Sequence, residues 1–431
     1  MMNTNNNSWP LPIAKPEDVG ISSERLARIR PVMQKFIDEK KDPNFITMVI
    51  KHGKIVHYEA QGYMDFESKK PVQKDTIYRL WSNTKPMTGV ATMMCLEEGL
   101  LNLDDPLSKY IPAFRNPVVR VLDPPKTQET GRTPATGKTP TVPANREVTI
   151  RDCLRNTTGF ATVNNAPIQY LTEFPEVFPN KRWFVGPDKV VSVEEAVEIQ
   201  AKLPLESHPG TRFEYQVGYP VAGRVLEIVT GKNLSELYEE RIFKPLGMKD
   251  TAFYLPEDKL DRFPTCYRPV LTDNGWTLAI ADSPQTSEKV LGPKTHFEAG
   301  GGGGGVLSTV ADYSRFAQML LNRGELEGIR ILSRKSVELM TSSHTSDDLY
   351  IPLTGSGFGF GMGVGVYKGS TPPLMRTVGT FGWSGLAGTS CIIDPKEELI
   401  WLCFTQVLQH RMMPGNTCQE DIERLVYQSL I

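Results

Sequence analysis

A serine and a lysine that stand three residues apart, Ser82 and Lys85, have the types and the spacing needed for nucleophilic catalysis. Residues i and i+3 of a helix lie on one face, with Cβ atoms about 5–6 Å apart. A lysine amine at that distance can take the proton of the serine hydroxyl, which is a weak nucleophile without a base. We expect the serine at a helix N-terminus, where free N–H groups favour negative charge. The pair therefore indicates acyl transfer through a covalent serine ester.

The same tetrapeptide also has a structural interpretation, in which Ser82 caps the helix and Lys85 is a solvated residue of its first turn. A chain of this length should contain about one such motif by chance. No G-x-S-x-G occurs, and residues 131–139 miss the spacing of a phosphate-binding loop by one residue. The run Gly300–Gly305 is interpreted as a tight crossing of backbone. The residues around Ser82 must decide between the two interpretations.

The composition is that of a folded globular protein, with 39% hydrophobic and 23% charged residues in a chain of 431. A net charge of −2 disfavours nucleic-acid binding, which needs a basic surface to displace counterions. No apolar run approaches the ~18–20 residues of a membrane span. The N-terminal residues lack the basic stretch and apolar run of a secretory signal. We therefore expect a cytoplasmic protein, with export left open if a leader has been removed.

Neither the cysteines nor the histidines indicate a metal site. The chain has six of each, without a C-x-x-C or an H-E-x-x-H motif. Cys95, Cys391 and Cys403 have apolar neighbours and are interpreted as inert core residues. We expect no metal and no cofactor, and no partner other than a small-molecule substrate. The sequence leaves the oligomeric state open.

Strand patterns lie near both ends of the chain. Two hairpins are predicted, and they cover residues 45–50 with 55–58 and residues 389–393 with 399–405. Between residues 355 and 367 glycine occupies every second position, which predicts a strand against which another element packs closely. Helix patterns in these end regions cover residues 22–38, 83–98 and 419–430.

The middle of the chain has mostly helical patterns, over residues 191–203, 217–230, 233–242 and 310–322. Residues 122–146 are rich in Pro, Thr, Gly and Lys and predict a long surface loop. We predict an α+β fold, in which residues 1–103 and 331–431 form an antiparallel sheet covered by the terminal helices. Residues 104–330 are predicted to form a mostly helical inserted domain. The cleft between the two domains is the expected site.

Motifs in the same order along the chain resemble the class C β-lactamases, the penicillin-binding proteins and their relatives. The segments that carry the likeness are residues 52–54, 62–63, 76–85, 96–100, 103–106, 109–112, 148–160, 209–215, 244–251 and 303–313. Residues 148–160 resemble the family segment T-I-R-x-L-L-x-H-T-S-G-L, with Asn156 in the place of the usual histidine. The resemblance runs from about residue 20 to residue 430 and implies a β-lactamase/transpeptidase-like fold.

The resemblance also implies an active site built from three motifs. In this chain they are Ser82 with Lys85, Tyr215-Gln216-Val217, and Trp383-Ser384-Gly385. Val217 stands where the family has an amide that contacts the substrate, and Trp383 stands where it has a cation that attracts the β-lactam carboxylate. Both changes remove recognition of β-lactams. A W-x-G third motif is typical of the β-lactamase-like serine carboxylesterases, the family VIII esterases, which this chain resembles.

The implied activity is cleavage of carboxylic esters with small to medium acyl chains, through an acyl-enzyme on Ser82. Lys85 and Tyr215 share the roles of general base and acid, and which of them is the base stays open. The residues expected to bind the substrate and its oxyanion are Trp383, Ser384, Gly385 and Leu386. The alternatives on the same fold are a β-lactamase or D-Ala-type peptidase, and an acyltransferase, because they share the acylation chemistry.

Overall fold

Segments from both ends of the chain meet in one antiparallel sheet. The computed structural model describes residues 10–121, 140–161, 192–215, 217–287, 303–352, 354–370 and 374–431. Its strands are β1 (Asn44–Lys51), β2 (Lys54–Gly62), β3 (Tyr78–Arg79), β4 (Val118–Arg120), β5 (Thr141–Pro143), β6 (Cys266–Thr272), β7 (Gly275–Asp282), β8 (Leu307–Ser308), β9 (Glu325–Leu326), β10 (Ile329–Arg330), β11 (Phe358–Phe360), β12 (Gly365–Tyr367), β13 (Phe381–Ser384), β14 (Ser390–Asp394) and β15 (Leu399–Phe404).

The helices of the described residues surround this sheet and form the middle of the chain. They are α1 (Ser23–Leu26), α2 (Ile29–Asp38), α3 (Lys85–Glu97), α4 (Ile150–Leu154), α5 (Val193–Ala201), α6 (Gly218–Thr230), α7 (Leu234–Tyr238), α8 (Val310–Leu321), α9 (Arg334–Met340) and α10 (Cys418–Gln428). None of them is long and apolar enough to cross a membrane.

The main sheet has the spatial order β11, β12, β13, β14, β15, β1, β2, with antiparallel neighbours throughout. The pairing of β1 with β15, in which Ile46 lies opposite Phe404, joins the two ends of the chain. The β1–β2 turn holds His52 and Gly53 at positive φ, the conformation that favours a tight hairpin. The predicted α+β architecture and both predicted hairpins are confirmed.

Alternate residues of the sheet face two separate cores, as the two-residue period of a strand requires. On one face, Trp401 of β15 packs with Ile422 of the C-terminal helix α10. On the other face, the ring of Phe404 lies 5.9 Å from the ring of Tyr313 in α8. Helix α8 thus covers the sheet, although it comes from the segment predicted to be inserted. The division of the chain at residues 104 and 330 stays a prediction.

The single helix predicted over residues 22–38 was wrong. Ser22 caps the short helix α1 by accepting a hydrogen bond from the Arg25 N–H, and a second helix begins at Ile29. Pro31 lies in the first turn of α2, where backbone N–H groups have no acceptor within the helix. The N–H that proline lacks is therefore not needed there. The helix predicted over residues 233–242 is likewise divided, because α7 ends at Tyr238 and a π turn follows.

The single strand predicted over residues 355–367 was also wrong, because the segment forms the two short strands β11 and β12. Gly363 in their turn has a φ of +94°, and a Cβ there would lie 2.5 Å from the carbonyl oxygen of Lys85. A Cβ on Gly359 would lie 2.0 Å from the Ser343 hydroxyl oxygen. The close packing that the alternating glycines predicted is therefore confirmed.

Sequence patterns in the middle of the chain missed the hairpin of β6 and β7, whose turn residues are Asp273 and Asn274 and whose Gly275 has a φ of +98°. Of the loop predicted over residues 122–146, residues 122–139 lie outside the described residues. The rest includes β5, where Val142 pairs with Val119 of β4. All six cysteines are free and buried, as expected for Cys95, Cys391 and Cys403.

Candidate active site

Ser82 lies in a 3₁₀ turn, Trp81–Thr84, that leads directly into helix α3. Trp81 has a φ of 49°, an uncommon conformation for a large side chain that is found where surrounding structure holds it. Strong anchors surround the turn: the Leu80 N–H donates to the Val306 carbonyl at 3.0 Å, and the Thr84 hydroxyl accepts from the Val306 N–H at 3.1 Å. The serine is thus fixed within the turn before the helix, and the capping interpretation is wrong.

Lys85, the first residue of α3, points at the serine. Its Nζ lies 2.8 Å from the Ser82 hydroxyl oxygen and donates to the Gly303 carbonyl at 2.7 Å. The side chain is 2% exposed, and this burial lowers the pKa of the Lys85 amine to about 7. A substantial fraction of the amine is therefore neutral near pH 7 and able to accept a proton. The interpretation of Lys85 as a solvated residue is wrong.

Tyr215 reaches the same point from the segment that precedes α6. Its hydroxyl is hydrogen-bonded to Ser82 and accepts from the indole N–H of Trp383 at 2.6 Å. Its ring centroid lies 4.7 Å from the Lys85 Nζ. Burial raises the pKa of the Tyr215 phenol, and the hydrogen bonds with Ser82 and Trp383 lower it by less. The phenol therefore carries its proton at neutral pH.

The end of strand β13 closes the other side of the site. Trp383 packs edge-on against Phe360, with ring centroids 4.9 Å apart. The Gly385 N–H donates to the Thr389 carbonyl at 2.6 Å, and a Cβ on Gly385 would lie 2.2 Å from the Leu80 carbonyl oxygen. Only a glycine lets strand β13 approach the turn that holds Ser82 this closely.

Two backbone N–H groups are available for an oxyanion. The N–H groups of Ser82 and Leu386 donate to no other group of the described residues. Ser384, two residues before Leu386, uses its hydroxyl for a hydrogen bond of 2.9 Å with Ser390. Since preorganised N–H donors stabilise the charge of a tetrahedral intermediate, this arrangement suits acyl transfer.

Ser82 and Tyr215 line a cavity of about 670 Å³, hereafter the active-site cavity, together with the third motif. Phe358, Leu374 and Met375 supply apolar walls. A cavity of this size admits a molecule of drug-like dimensions.

The structure brings Ser82, Lys85, Tyr215 and Trp383 into one connected cluster, and it places Ser384, Gly385 and Leu386 at its edge. Sequence reasoning missed the carbonyl of Gly303, although the glycine run that contains it was noticed as a backbone crossing. Gln216 of the second motif lies outside the described residues, as do residues 300–302 of the glycine run.

The family model described as Beta-lactamase matches residues 29–416 of this chain. The Mycobacterium tuberculosis protein Rv1367c is 32% identical over 375 residues, which cover 84% of this chain and 85% of the relative. Esterase EstB of Burkholderia gladioli is 26% identical over 401 residues, with coverages of 90% and 91%. An Escherichia coli protein whose name proposes D-alanyl-D-alanine carboxypeptidase activity is 27% identical over 406 residues, with coverages of 90% and 83%.

A solved structure described as EstCE1, a hydrolase with promiscuous acyltransferase activity, superposes on this chain with a TM-score of 0.72. It is 24% identical and covers 94% of this chain and 99% of its own. At that identity the likeness shows the fold alone. The predicted β-lactamase/transpeptidase-like fold is confirmed.

Proposed function

Because this chain belongs to the beta-lactamase family, a family of β-lactamase-fold serine hydrolases, we propose that it is a serine carboxylesterase that forms an acyl-enzyme on Ser82. The observation that carries the proposal is the buried contact of 2.8 Å between the Lys85 amine and the Ser82 hydroxyl. The similarity to Esterase EstB supports an ester as the substrate class.

Lys85 is the general base in the proposed acylation. Its lowered pKa leaves it neutral often enough to accept the Ser82 proton while Ser82 attacks the ester carbonyl carbon. The Gly303 carbonyl accepts one amine N–H, which holds the Lys85 nitrogen beside the serine and leaves its lone pair free to accept the Ser82 proton. Tyr215, whose raised pKa keeps it protonated, passes a proton from Lys85 to the departing alcohol oxygen as the carbon–oxygen bond breaks. Water then attacks the carbonyl carbon of the acyl-enzyme, and its proton passes by way of Tyr215 and Lys85 to the Ser82 oxygen. The bond between that oxygen and the carbonyl carbon breaks, which releases the acid.

The oxyanion formed at each step is held, in this proposal, by the N–H groups of Ser82 and Leu386. Trp383 keeps the Tyr215 hydroxyl in place through its indole N–H. An N–H group donates a hydrogen bond without exchanging a proton at neutral pH, so Trp383 is a positioning residue rather than an acid.

A D-Ala-type peptidase is the second candidate, favoured by the similarity to the E. coli relative. Its substrate ends in a carboxylate and calls for a cation near the nucleophile. Trp383 stands at the motif position where the family has that cation, and the arginines that line the active-site cavity are already paired with acidic residues. These pairs are Arg376 with Glu423, Arg411 with Glu420, and Arg424 with Asp421. The arrangement supports esters over peptides and β-lactams.

The proposal is tested by comparing turnover of p-nitrophenyl acetate and butyrate with turnover of nitrocefin and of a peptide that ends in D-Ala-D-Ala. We expect ester turnover far above the other two, and its loss in Ser82→Ala. Acyltransferase activity is measured in the same assay by adding a primary alcohol and following ester exchange. Nitrocefin or peptide turnover above ester turnover would replace the proposal by the second candidate.

A further inference from the structure

The active-site cavity continues beyond the proposed catalytic cluster into a second space, the rear chamber, which we define by Trp401, His410 and Gln419. Trp401 belongs to β15, His410 begins a 3₁₀ turn, and Gln419 lies in the C-terminal helix α10. In the sheet register Gly382 lies opposite Ile392, and Ile392 lies opposite Trp401. The rear chamber therefore lies on the face of the sheet that packs against α10.

Four polar atoms of the rear chamber lack partners within the described part of the chain, whereas the Gln419 Oε1 accepts from Arg411 at 3.5 Å. The Trp401 Nε1, both ring nitrogens of His410 and the Gln419 Nε2 make no hydrogen bond there. The three side chains are only 2%, 5% and 6% exposed. Buried polar groups in folded proteins are almost always hydrogen-bonded, because leaving one unpaired is unfavourable. Several unpaired groups on residues that line one cavity point to a bound molecule that supplies the missing hydrogen bonds.

The charges around the rear chamber cancel. Arg376 forms a salt bridge with Glu423, and Arg411 forms one of 2.9 Å with Glu420. Burial lowers the pKa of the His410 imidazole to about 4, so the ring is neutral at pH 7. An uncharged partner with oxygen acceptors suits this chamber better than an anion or a cation, because each charged group already has its counter-ion.

We propose that the rear chamber binds the remote end of an uncharged ester substrate through its carbonyl, ether or hydroxyl oxygens. The donors are the Trp401 indole N–H and the Gln419 amide N–H, and the walls of Ile392 and Met375 take the intervening methylene groups. This proposal rests on the esterase function proposed above and names its substrate class: esters of medium length that carry an oxygen acceptor several bonds from the scissile carbonyl.

The test uses pairs of esters that differ only in one carbonyl. Two pairs are p-nitrophenyl esters, the 4-oxopentanoate with the pentanoate and the 6-oxoheptanoate with the heptanoate. The third pair is 4-oxopentyl acetate with pentyl acetate, and kcat and KM are measured for every ester. These pairs place the oxygen in the acyl half or in the alcohol half. We expect the oxo ester to have the higher kcat/KM in at least one pair, mainly through a lower KM.

Two variants remove the donors with little change of shape, Trp401→Phe and Gln419→Met. In each we expect the ratio of the two kcat/KM values to fall by about threefold or more, as one lost hydrogen bond predicts. Trp276→Phe makes the same replacement in the β6–β7 hairpin, outside the cavity, and should keep the wild-type ratio. Thermal unfolding of each variant checks that it is folded. If one of the two variants does not fold, the other provides the test.

A ratio that is the same in wild type and in both folded variants, for every pair, would overturn the rear-chamber proposal. Ester turnover that persists in that case, and still depends on Ser82, would leave the esterase function intact. Absence of Ser82-dependent ester turnover would overturn both.

Discussion

The indole N–H of Trp383 donates to the hydroxyl oxygen of Tyr215 at 2.6 Å, so the third motif is bonded directly to the second. The two rings also contact each other, with centroids 5.7 Å apart. An uncharged donor at this position orients the Tyr215 hydroxyl without placing a second cation beside Lys85. We infer that the tryptophan changes which substrates the site attracts, and it preserves the connection among Ser82, Lys85 and Tyr215.

Trp383→Phe should lower kcat for p-nitrophenyl butyrate with little change in KM. The variant loses one hydrogen bond, worth about 0.5–1.5 kcal/mol or about two- to tenfold in rate, and keeps an aromatic ring against Phe360. Steady-state kinetics measure the effect, and Trp276→Phe in the exposed hairpin is the control for the chemical change. A kcat equal to that of wild type would show that the bond to Tyr215 has no part in turnover.

The pH dependence of kcat/KM should follow the ionisation of Lys85. Since burial lowers the pKa of this amine to about 7, the base is present above that pH and lost below it. The logarithm of kcat/KM should thus fall by about one per pH unit below about pH 7 and level off above it. Initial rates with p-nitrophenyl butyrate from pH 5 to pH 9 give the profile. A profile that stays flat between pH 5.5 and 8 would argue against an amine base.

Replacing the buried lysine should make stability less dependent on pH. The pKa of Lys85 lies below its unfolded value, so the native state of wild type is penalised increasingly as pH falls from about 10.5 to about 7, and constantly below that. Lys85→Met removes the charge and keeps an unbranched chain. In urea unfolding, the free energy of unfolding of the variant relative to that of wild type should increase as the pH is lowered from 10 to 7. A stability difference that is equal at both pH values would mean that the amine is not desolvated.

Gly385→Ala should impair catalysis more than stability alone explains. The new Cβ would lie 2.2 Å from the Leu80 carbonyl oxygen and from the Thr389 hydroxyl, so the loop must move. That movement takes the Leu386 N–H away from the proposed position of the oxyanion, and loss of one such donor costs about 100-fold or more in kcat. Gly99→Ala is the control, because Gly99 has a φ of +71° and no neighbour within 4 Å. We expect Gly99→Ala to lower stability and to keep kcat.

Sequence patterns were most informative where the chemistry depends on local spacing. Lys85 follows Ser82 by three positions, and helical geometry alone predicted that their side chains could meet. The hairpin of β1 and β2 was equally local, because His52-Gly53 specifies its turn. The two terminal hairpins also predicted the antiparallel sheet that joins the ends of the chain, because the outer strand of each hairpin needs a further strand to pair with.

What the patterns missed depends on contacts between distant segments. The Gly303 carbonyl that holds Lys85 belongs to a residue 218 positions away, and a backbone oxygen leaves no mark in a side-chain pattern. The bond from Trp383 to Tyr215 spans 168 positions, and the sequence suggested Trp383 only as a substrate-binding residue. The alternating glycines up to residue 367 predicted close packing correctly. They missed the turn at Gly363, because glycine suits a turn and a crowded strand alike.

The most direct test of the proposed chemistry is intact-mass spectrometry after reaction with a p-nitrophenyl phosphonate ester, which traps a serine nucleophile. Wild type should gain one phosphonyl group, located on Ser82 by peptide mapping, and Ser82→Ala should gain none. Lys85→Met should react far more slowly because its serine lacks a base. An adduct of the same mass on folded Ser82→Ala, formed at the wild-type rate, would contradict Ser82 as the nucleophile.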